Sequence, residues 1–196
     1  MSSNTIVGNL EIEIKVQLAD RAAFAAKLPA LGFRLLTPAT LERNILFDTP
    51  DGSLRARREL LRIRKYGEIW KLTHKADAAA SLTQTHKARI ETELEIGDGR
   101  ALVAIFERLG YRQVFVYEKR REEWTDGSGH LVLDTTPIGD YAELEGEHAW
   151  IDATAAKLEI LPSEYLTASY PSLFLAWKNG AKHPAQNMTF EEVGGK

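Results

Sequence analysis

Residues Leu10-Glu11-Ile12-Glu13-Ile14-Lys15-Val16-Gln17-Leu18 alternate apolar and polar side chains without a break. Successive side chains of a strand point to opposite faces, so this run has one aliphatic face and one that carries two carboxylates and an ammonium. A one-residue slip would exchange the faces, which ties the segment to a sheet with two unlike surroundings. The Glu-x-Glu-x-Lys spacing also has chemical content. Carboxylates on one strand face can hold a hard divalent cation, and a lysine two residues on can hold a phosphate that the cation bridges. An amphipathic strand with its polar face in water has the same pattern.

Similar runs recur. Leu41 to Asp48 alternates before the turn Thr49-Pro50-Asp51-Gly52, and Leu60 to Lys65 with Ile69 to Lys75 flank Tyr66-Gly67-Glu68 as a hairpin. Lys87 to Ile96 and Tyr141 to Glu147 alternate, and Gln113 to Trp124 with His130 to Asp134 surround Asp126-Gly127-Ser128-Gly129. Asp20 can cap a short helix with Phe24, Leu28 and Leu31 on one side and Gly32 as its stop. Asp98 can cap another, carrying Leu102, Ile105, Phe106 and Leu109 before Gly110. Helices are expected from about Ala153 to Glu159, with Asp152 as cap, and from about Ser169 to Lys178. Asp77 to Thr85, rich in Ala, Ser and Thr, reads as a mobile loop. Residues 10–48 and 88–121 share the order strand, helix, glycine, strand, which suggests an approximate internal duplication.

With 196 residues and 44% hydrophobic content, the chain fits one core and one domain. The expected organisation is a flexible amino end over 1–9, a single domain over 10–178 and a flexible tail over 179–196. A formal charge of -3 gives no general attraction to nucleic acid or anionic membrane, so any anion site must be local. The cluster Arg55, Arg57, Arg58, Arg62, Arg64 and Lys65 is a poor nucleic-acid patch, because only part of it shares a strand face. Cysteine is absent, which excludes disulfides, thiolate ligands and a cysteine nucleophile. No run of about 18 apolar residues occurs, and the reading is a cytoplasmic protein.

On the charged parity stand Lys15, Arg62, Arg64, Lys71, Lys75, Arg89, Lys119 and Arg121, against Glu11, Glu13, Glu91, Glu93, Glu95, Asp134, Glu143 and Glu145. The helices must bury their apolar stripes against the opposite parity, which includes Ile12, Ile14, Leu72, Ile90, Leu94 and Leu144. If the sheet closes on itself, the charged face lines a tunnel in which mixed charges must be hydrated, paired or neutralised by ligand. Periodicity alone slightly favours an open sheet with that face in solvent.

Glu11-Ile12-Glu13-Ile14-Lys15, Leu61-Arg62-Ile63-Arg64, Leu72-Thr73-His74-Lys75, Arg89-Ile90-Glu91-Thr92-Glu93, Lys119-Arg120-Arg121, Leu133-Asp134 and Gly139-Asp140-Tyr141-Ala142-Glu143-Leu144-Glu145 follow one another in an order that resembles the CYTH family. These are triphosphate tunnel metalloenzymes, and the likeness spans roughly residues 10 to 178, with class IV adenylate cyclases and thiamine triphosphatase-like proteins as its nearest flavour. The resemblance implies an α+β fold: a closed or nearly closed eight-stranded antiparallel β-barrel with helices packed outside. It further implies Mg²⁺ or Mn²⁺ as cofactor and a triphosphate-containing small molecule as partner; charge and hydropathy give no expectation of nucleic acid or membrane, and a homodimer is compatible with the reading.

By matching motifs, the resemblance assigns Lys15, Arg62, Arg64, Lys75, Arg89, Lys119 and Arg121 to phosphate, and Glu11, Glu13, Glu91, Glu93, Asp134, Glu143 and Glu145 to metal. The catalytic set becomes Glu11, Glu13, Lys15, Glu143 and Glu145. Lys71 is weaker, resting on parity alone, as are Glu42 and Glu95. The histidines lack metal-ligand spacing and receive no role. Asn44 departs from the family, many of whose members have an acidic residue there, and Arg55 to Arg58 form an unusually basic turn. The expected activity is metal-dependent triphosphate hydrolysis, with cyclic AMP formation from ATP or non-catalytic polyphosphate or nucleotide binding as the alternatives.

Overall fold

The alternating runs fold as strands that close on themselves. The computed structural model describes residues 8–78 and 86–194. Its strands are β1 (Asn9–Leu18), β2 (Arg34–Asp48), β3 (Leu60–Tyr66), β4 (Ile69–Asp77), β5 (Lys87–Ile96), β6 (Arg112–Thr125), β7 (His130–Thr136) and β8 (Gly139–Glu145). They form a closed antiparallel barrel in the order β1-β5-β4-β3-β2-β6-β7-β8, which removes the free edges of an open sheet. The helices are α1 (Arg21–Lys27), α2 (Ser53–Ala56), α3 (Gly99–Arg108), α4 (His148–Lys157), α5 (Tyr170–Ala181) and α6 (Phe190–Val193).

The order has an internal symmetry: exchanging β1 to β4 with β5 to β8 leaves the set of neighbour pairs unchanged, with β1–β5 and β2–β6 mapping onto themselves. Local structure repeats with it. Asp20 and Asp98 are extended N-caps whose carboxylates accept from backbone N–H groups of α1 and α3, and Gly32 and Gly110 follow in the left-handed region at φ 87° and 92°. The strand-helix-glycine-strand repeat is thus matched by pairing and cap geometry, as a duplicated unit requires.

One core lies outside the barrel wall, where Ile12, Ile14, Leu131, Leu133 and Leu144 meet Leu28, Ile151, Ala155 and Leu158. A second fills one end of the barrel with Leu46, Tyr117, Tyr141, Tyr170, Phe174 and Met188. At Gly99 the Trp70 ring comes so close that an added Cβ would lie 2.1 Å from it. Gly99→Ala is expected to cost about 1–3 kcal/mol by overpacking, read as a lower urea midpoint. An unchanged midpoint would contradict that packing.

Several boundaries differ from expectation. β2 begins at Arg34 rather than near Leu41, because its first half pairs with β6 alone, through two register shifts. α4 starts at His148 with Glu147 as its cap. Asp152 is therefore interior, and its Oδ1 lies 3.0 Å from His86 Nε2. Asp77 ends β4 and pairs with Arg89, while most of the expected loop, 79–85, falls outside the described residues. Beyond 179, where a loose tail is expected, the chain is anchored through buried Ala185, Met188 and Thr189, while the other described residues there are half-buried or exposed. Met188 is fully buried, exchanges backbone hydrogen bonds with Val116 and Glu118, and precedes the Thr189 cap of α6. The apolar end of the barrel supplies the buried surface that holds it.

Candidate active site

Closure turns the charged parity inward. A cavity of about 470 Å³ inside the barrel is lined by Glu11, Glu13, Lys15, Arg62, Arg64, Lys75, Lys87, Arg89, Glu91, Glu93, Lys119, Arg121, Glu123, Glu143 and Glu145. His130, Val132, Tyr117, Asn9, Leu10 and Leu60 complete the strand contribution, and Ser169, Tyr170 and Pro171 enter from the start of α5. Strand pairing positions them: Glu13 lies opposite Glu145 on β8 and Lys87 on β5, Lys15 opposite Glu143, and Arg62 opposite Thr73. Where β5 has not yet begun, Leu166 exchanges backbone hydrogen bonds with Lys15 and continues the wall.

The charges pair across the lumen in three groups. Lys75 Nζ bridges Glu11 (2.6 Å) and Glu91 (3.0 Å), and Lys87 Nζ lies 2.5 Å from Glu13. Glu93 accepts from Arg64 (2.7 Å), Lys71 (2.7 Å) and Thr73 (2.9 Å). Deepest are Asp134 and Glu42, both without solvent exposure. Arg121 grips Asp134 with two nitrogens (2.8 and 2.6 Å), Lys119 Nζ lies 3.0 Å from Asp134, and Arg121 also pairs with Glu143. Lys15 closes this group at 2.8 Å from Glu143. Arg62 is loosely held: it has hydrogen bonds of 3.2 Å to Tyr117 and Thr73, carboxylates at 3.7 and 3.8 Å, and an unpartnered Nε. That leaves a buried guanidinium fork available to an anion.

Ionisation follows the same map. Burial opposes charge on Glu13, but Lys87 and Lys15 outweigh it and hold its carboxyl at about 2. Burial likewise opposes ionised Glu42, and Lys119, Arg121 and Arg64 keep it well below the usual carboxylate range. Lys15 resists burial through Glu143 and Glu13 and is raised above the ordinary lysine value. Glu145 goes the other way. Although the residue is exposed, desolvation by the protein around it and the charges of Glu11 and Glu13 push it up to about 7. A carboxyl raised from 4.5 to about 7 favours folding while protonated, so this contribution is full below pH 4.5 and lost as pH rises toward 7. Glu13, lowered to about 2, contributes above its unfolded value and loses that contribution as pH falls toward 2. Carboxyl ¹³C titration should find Glu145 half-protonated near pH 7, and a midpoint near 4.5 would contradict this crowding.

The structure thus brings Glu11, Glu13, Lys15, Arg62, Arg64, Lys75, Arg89, Glu91, Glu93, Lys119, Arg121, Glu143 and Glu145 onto one cavity. Asp134 stands just behind that lining, where both oxygens are taken by Arg121, Lys119 and the Tyr170 hydroxyl. Arg89 is turned toward the backbone oxygens of Arg58 (2.6 Å) and Lys75 (3.2 Å). Glu42, doubted from sequence, is central, since Arg64 and Lys119 each lie 3.5 Å from it and Asn44 Nδ2 donates to it at 2.9 Å. Lys87 was missed although it shares parity with Arg89. Tyr170 gave no strand signal at all.

A barrel of this order with a charged lumen is the architecture the motif series implied. The CYTH domain matches residues 9–168. The chain belongs to the CYTH family. It is 32% identical over 149 residues to the adenylate cyclase CyaB of Aeromonas hydrophila, covering 74% of this chain and 72% of that protein. Its fold is shared with a candidate adenylate cyclase from Vibrio parahaemolyticus, at TM-score 0.75 and 18% identity over 86% of this chain and 99% of that one. A Hippeastrum protein whose structure is reported with a dominant triphosphatase activity shares it at TM-score 0.61 and 22% identity, over 87% and 96% of the two chains. CYTH enzymes are metal-dependent and bind triphosphate-containing substrates. Among the described residues no helix is long and apolar enough to cross a membrane.

Also among the described residues, no three His, Cys, Asp or Glu side chains are gathered as a finished metal-ligand set. The donor chemistry nevertheless fits a hard divalent ion. Glu11, Glu13, Glu91 and Glu145 are oxygen donors crowded enough to raise Glu145, and the Lys75 ammonium bridges two of them, as a cation with oxygen ligands would.

Proposed function

We propose that this CYTH protein is a divalent-metal-dependent phosphohydrolase acting on a triphosphate, either inorganic tripolyphosphate or a nucleoside or thiamine triphosphate. The observation that carries this reading is the charged lumen, in which buried Lys15, Arg62 and Lys119 and half-buried Arg121 face the same cavity as Glu11, Glu13 and Glu145, with the proton affinity of Glu11 and Glu145 raised. A triphosphate needs cations on its equatorial oxygens and a fixed line of attack. Arg62, Arg64 and Arg121 offer planar forks, and Lys15, Lys75 and Lys119 offer point charges. Enclosure strengthens each of these contacts by excluding bulk water. Glu11, Glu13 and Glu145 are the residues that would hold Mg²⁺ or Mn²⁺, with Glu91 and Glu143 beside them. That ion would offset phosphate charge and acidify a nearby water.

Hydrolysis is preferred because the lining is charged along most of its extent, and the two tyrosines in it, Tyr117 and Tyr170, are engaged with Arg62 and with Asp134. The second reading is an adenylate cyclase, in which the ribose 3′-hydroxyl attacks the α-phosphorus and pyrophosphate leaves. It is favoured by the 32% identity to CyaB. Tripolyphosphate, ATP and thiamine triphosphate, incubated separately with Mg²⁺ and with Mn²⁺, distinguish them by product. Orthophosphate supports hydrolysis, cyclic AMP with pyrophosphate supports cyclisation, and tight binding without either product would leave a binding module.

A further inference from the structure

We infer that Tyr170 is a positioning residue of the anion site: its ring orients the ammonium groups of Lys15 and Lys119 toward the lumen without neutralising them. The inference rests on the proposed triphosphate reading and goes beyond it, because Tyr170 lies outside the 9–168 segment that the CYTH family matches. Lys15 Nζ stands 4.5 Å and Lys119 Nζ 4.8 Å from the centre of the same ring. Both distances are within the range over which an aromatic face attracts a cation. The ring is held rigidly. Tyr170 opens α5 next to its Ser169 cap, is 5% exposed, meets Tyr117 and Tyr141 with its faces and edge, and donates its hydroxyl to Asp134 Oδ2 at 2.7 Å.

The physical point is the difference between a ring and a carboxylate. Glu143 and Asp134 also hold these lysines, at 2.8 and 3.0 Å, but each cancels part of the positive field that a triphosphate must feel. A quadrupole has no net charge, so it fixes direction and leaves the field in place. The hydroxyl serves the same end by occupying Asp134 Oδ2, which Lys119 and Arg121 share. Burial together with Asp134 and Glu143 raises the Tyr170 hydroxyl far above its ordinary value, so it remains a donor throughout the working pH range.

The test uses the full chain and inorganic tripolyphosphate as probe, with binding measured by calorimetry. Tyr170→Phe keeps the ring and is expected to bind within about threefold of wild type, while Tyr170→Leu is expected to bind about tenfold more weakly or worse. Mono-, di- and trifluorophenylalanine at 170 keep the shape while draining the ring face, so affinity should fall stepwise, by about tenfold at the trifluoro ring. This series remains decisive if the leucine variant fails to fold. Affinity that is flat across the series, or a phenylalanine variant as impaired as leucine, would overturn the inference while leaving the function standing. A wild type that binds no tripolyphosphate and turns over no triphosphate would overturn the proposed function, and this inference with it.

Discussion

Glu11→Ala is expected to lower metal-dependent release of phosphate by at least about 10²-fold, with Glu143→Ala comparably impaired. The two changes act differently. Glu11 is where burial and the neighbouring Glu13 and Glu91 charges raise carboxyl proton affinity against the pull of Lys75, which is the surrounding a divalent ion relieves. Its removal should be felt as a loss of metal dependence at saturating substrate. Glu143 joins the carboxylates to the bases through Lys15 and Arg121, so its removal should also raise KM. Steady-state rates over a Mn²⁺ titration check both, and a Glu11→Ala enzyme with unchanged metal response would contradict the assignment.

The second large effect is on stability. Glu42 is fully buried, with Arg64, Lys119 and Arg121 within 4.0 Å and Asn44 donating to it. Removing one member of a buried ionic group strands the others, at a cost of about 3–5 kcal/mol. Glu42→Ala should therefore unfold at markedly lower urea concentration than wild type. It should also regain more stability from added tripolyphosphate than wild type does, because the ligand then replaces the missing counter-charge. Loss of stability that tripolyphosphate restores no better than in wild type would show that those cations do not face the ligand.

The strand scaffold was legible because alternation is a local property. Glu11, Glu13 and Lys15 share a face whatever the rest of the chain does, and the same holds for Arg62 with Arg64 and Glu143 with Glu145. Closure was not legible from periodicity, since it depends on β1 meeting both β5 and β8, pairings far apart in sequence. The motif series supplied that step. Burial depth was equally hidden. Glu42 and Glu93 have the same kind of strand position, yet Glu42 sits where β2, β3 and β6 converge and loses all contact with solvent, while Glu93 keeps some. Lys87 could have been found by extending the parity of Arg89 two residues back. Tyr170 could not, because its role comes from α5 capping the barrel end, a packing event between distant elements. The tail misled for the same reason: polar composition after Gly180 conceals Met188, whose burial depends on a partner strand.

The central claim is that carboxylates and cations from separate strands enclose one metal-bound triphosphate. It is tested most directly by a crystal structure of the protein with Mn²⁺ and a non-hydrolysable imidotriphosphate, using the anomalous signal of manganese. The account predicts manganese against Glu11, Glu13 and Glu145, and phosphate oxygens on Arg62, Lys119 and Arg121 inside the barrel. Ligand and manganese bound only on the outer surface, with the lumen still closed by its own ion pairs, would contradict it.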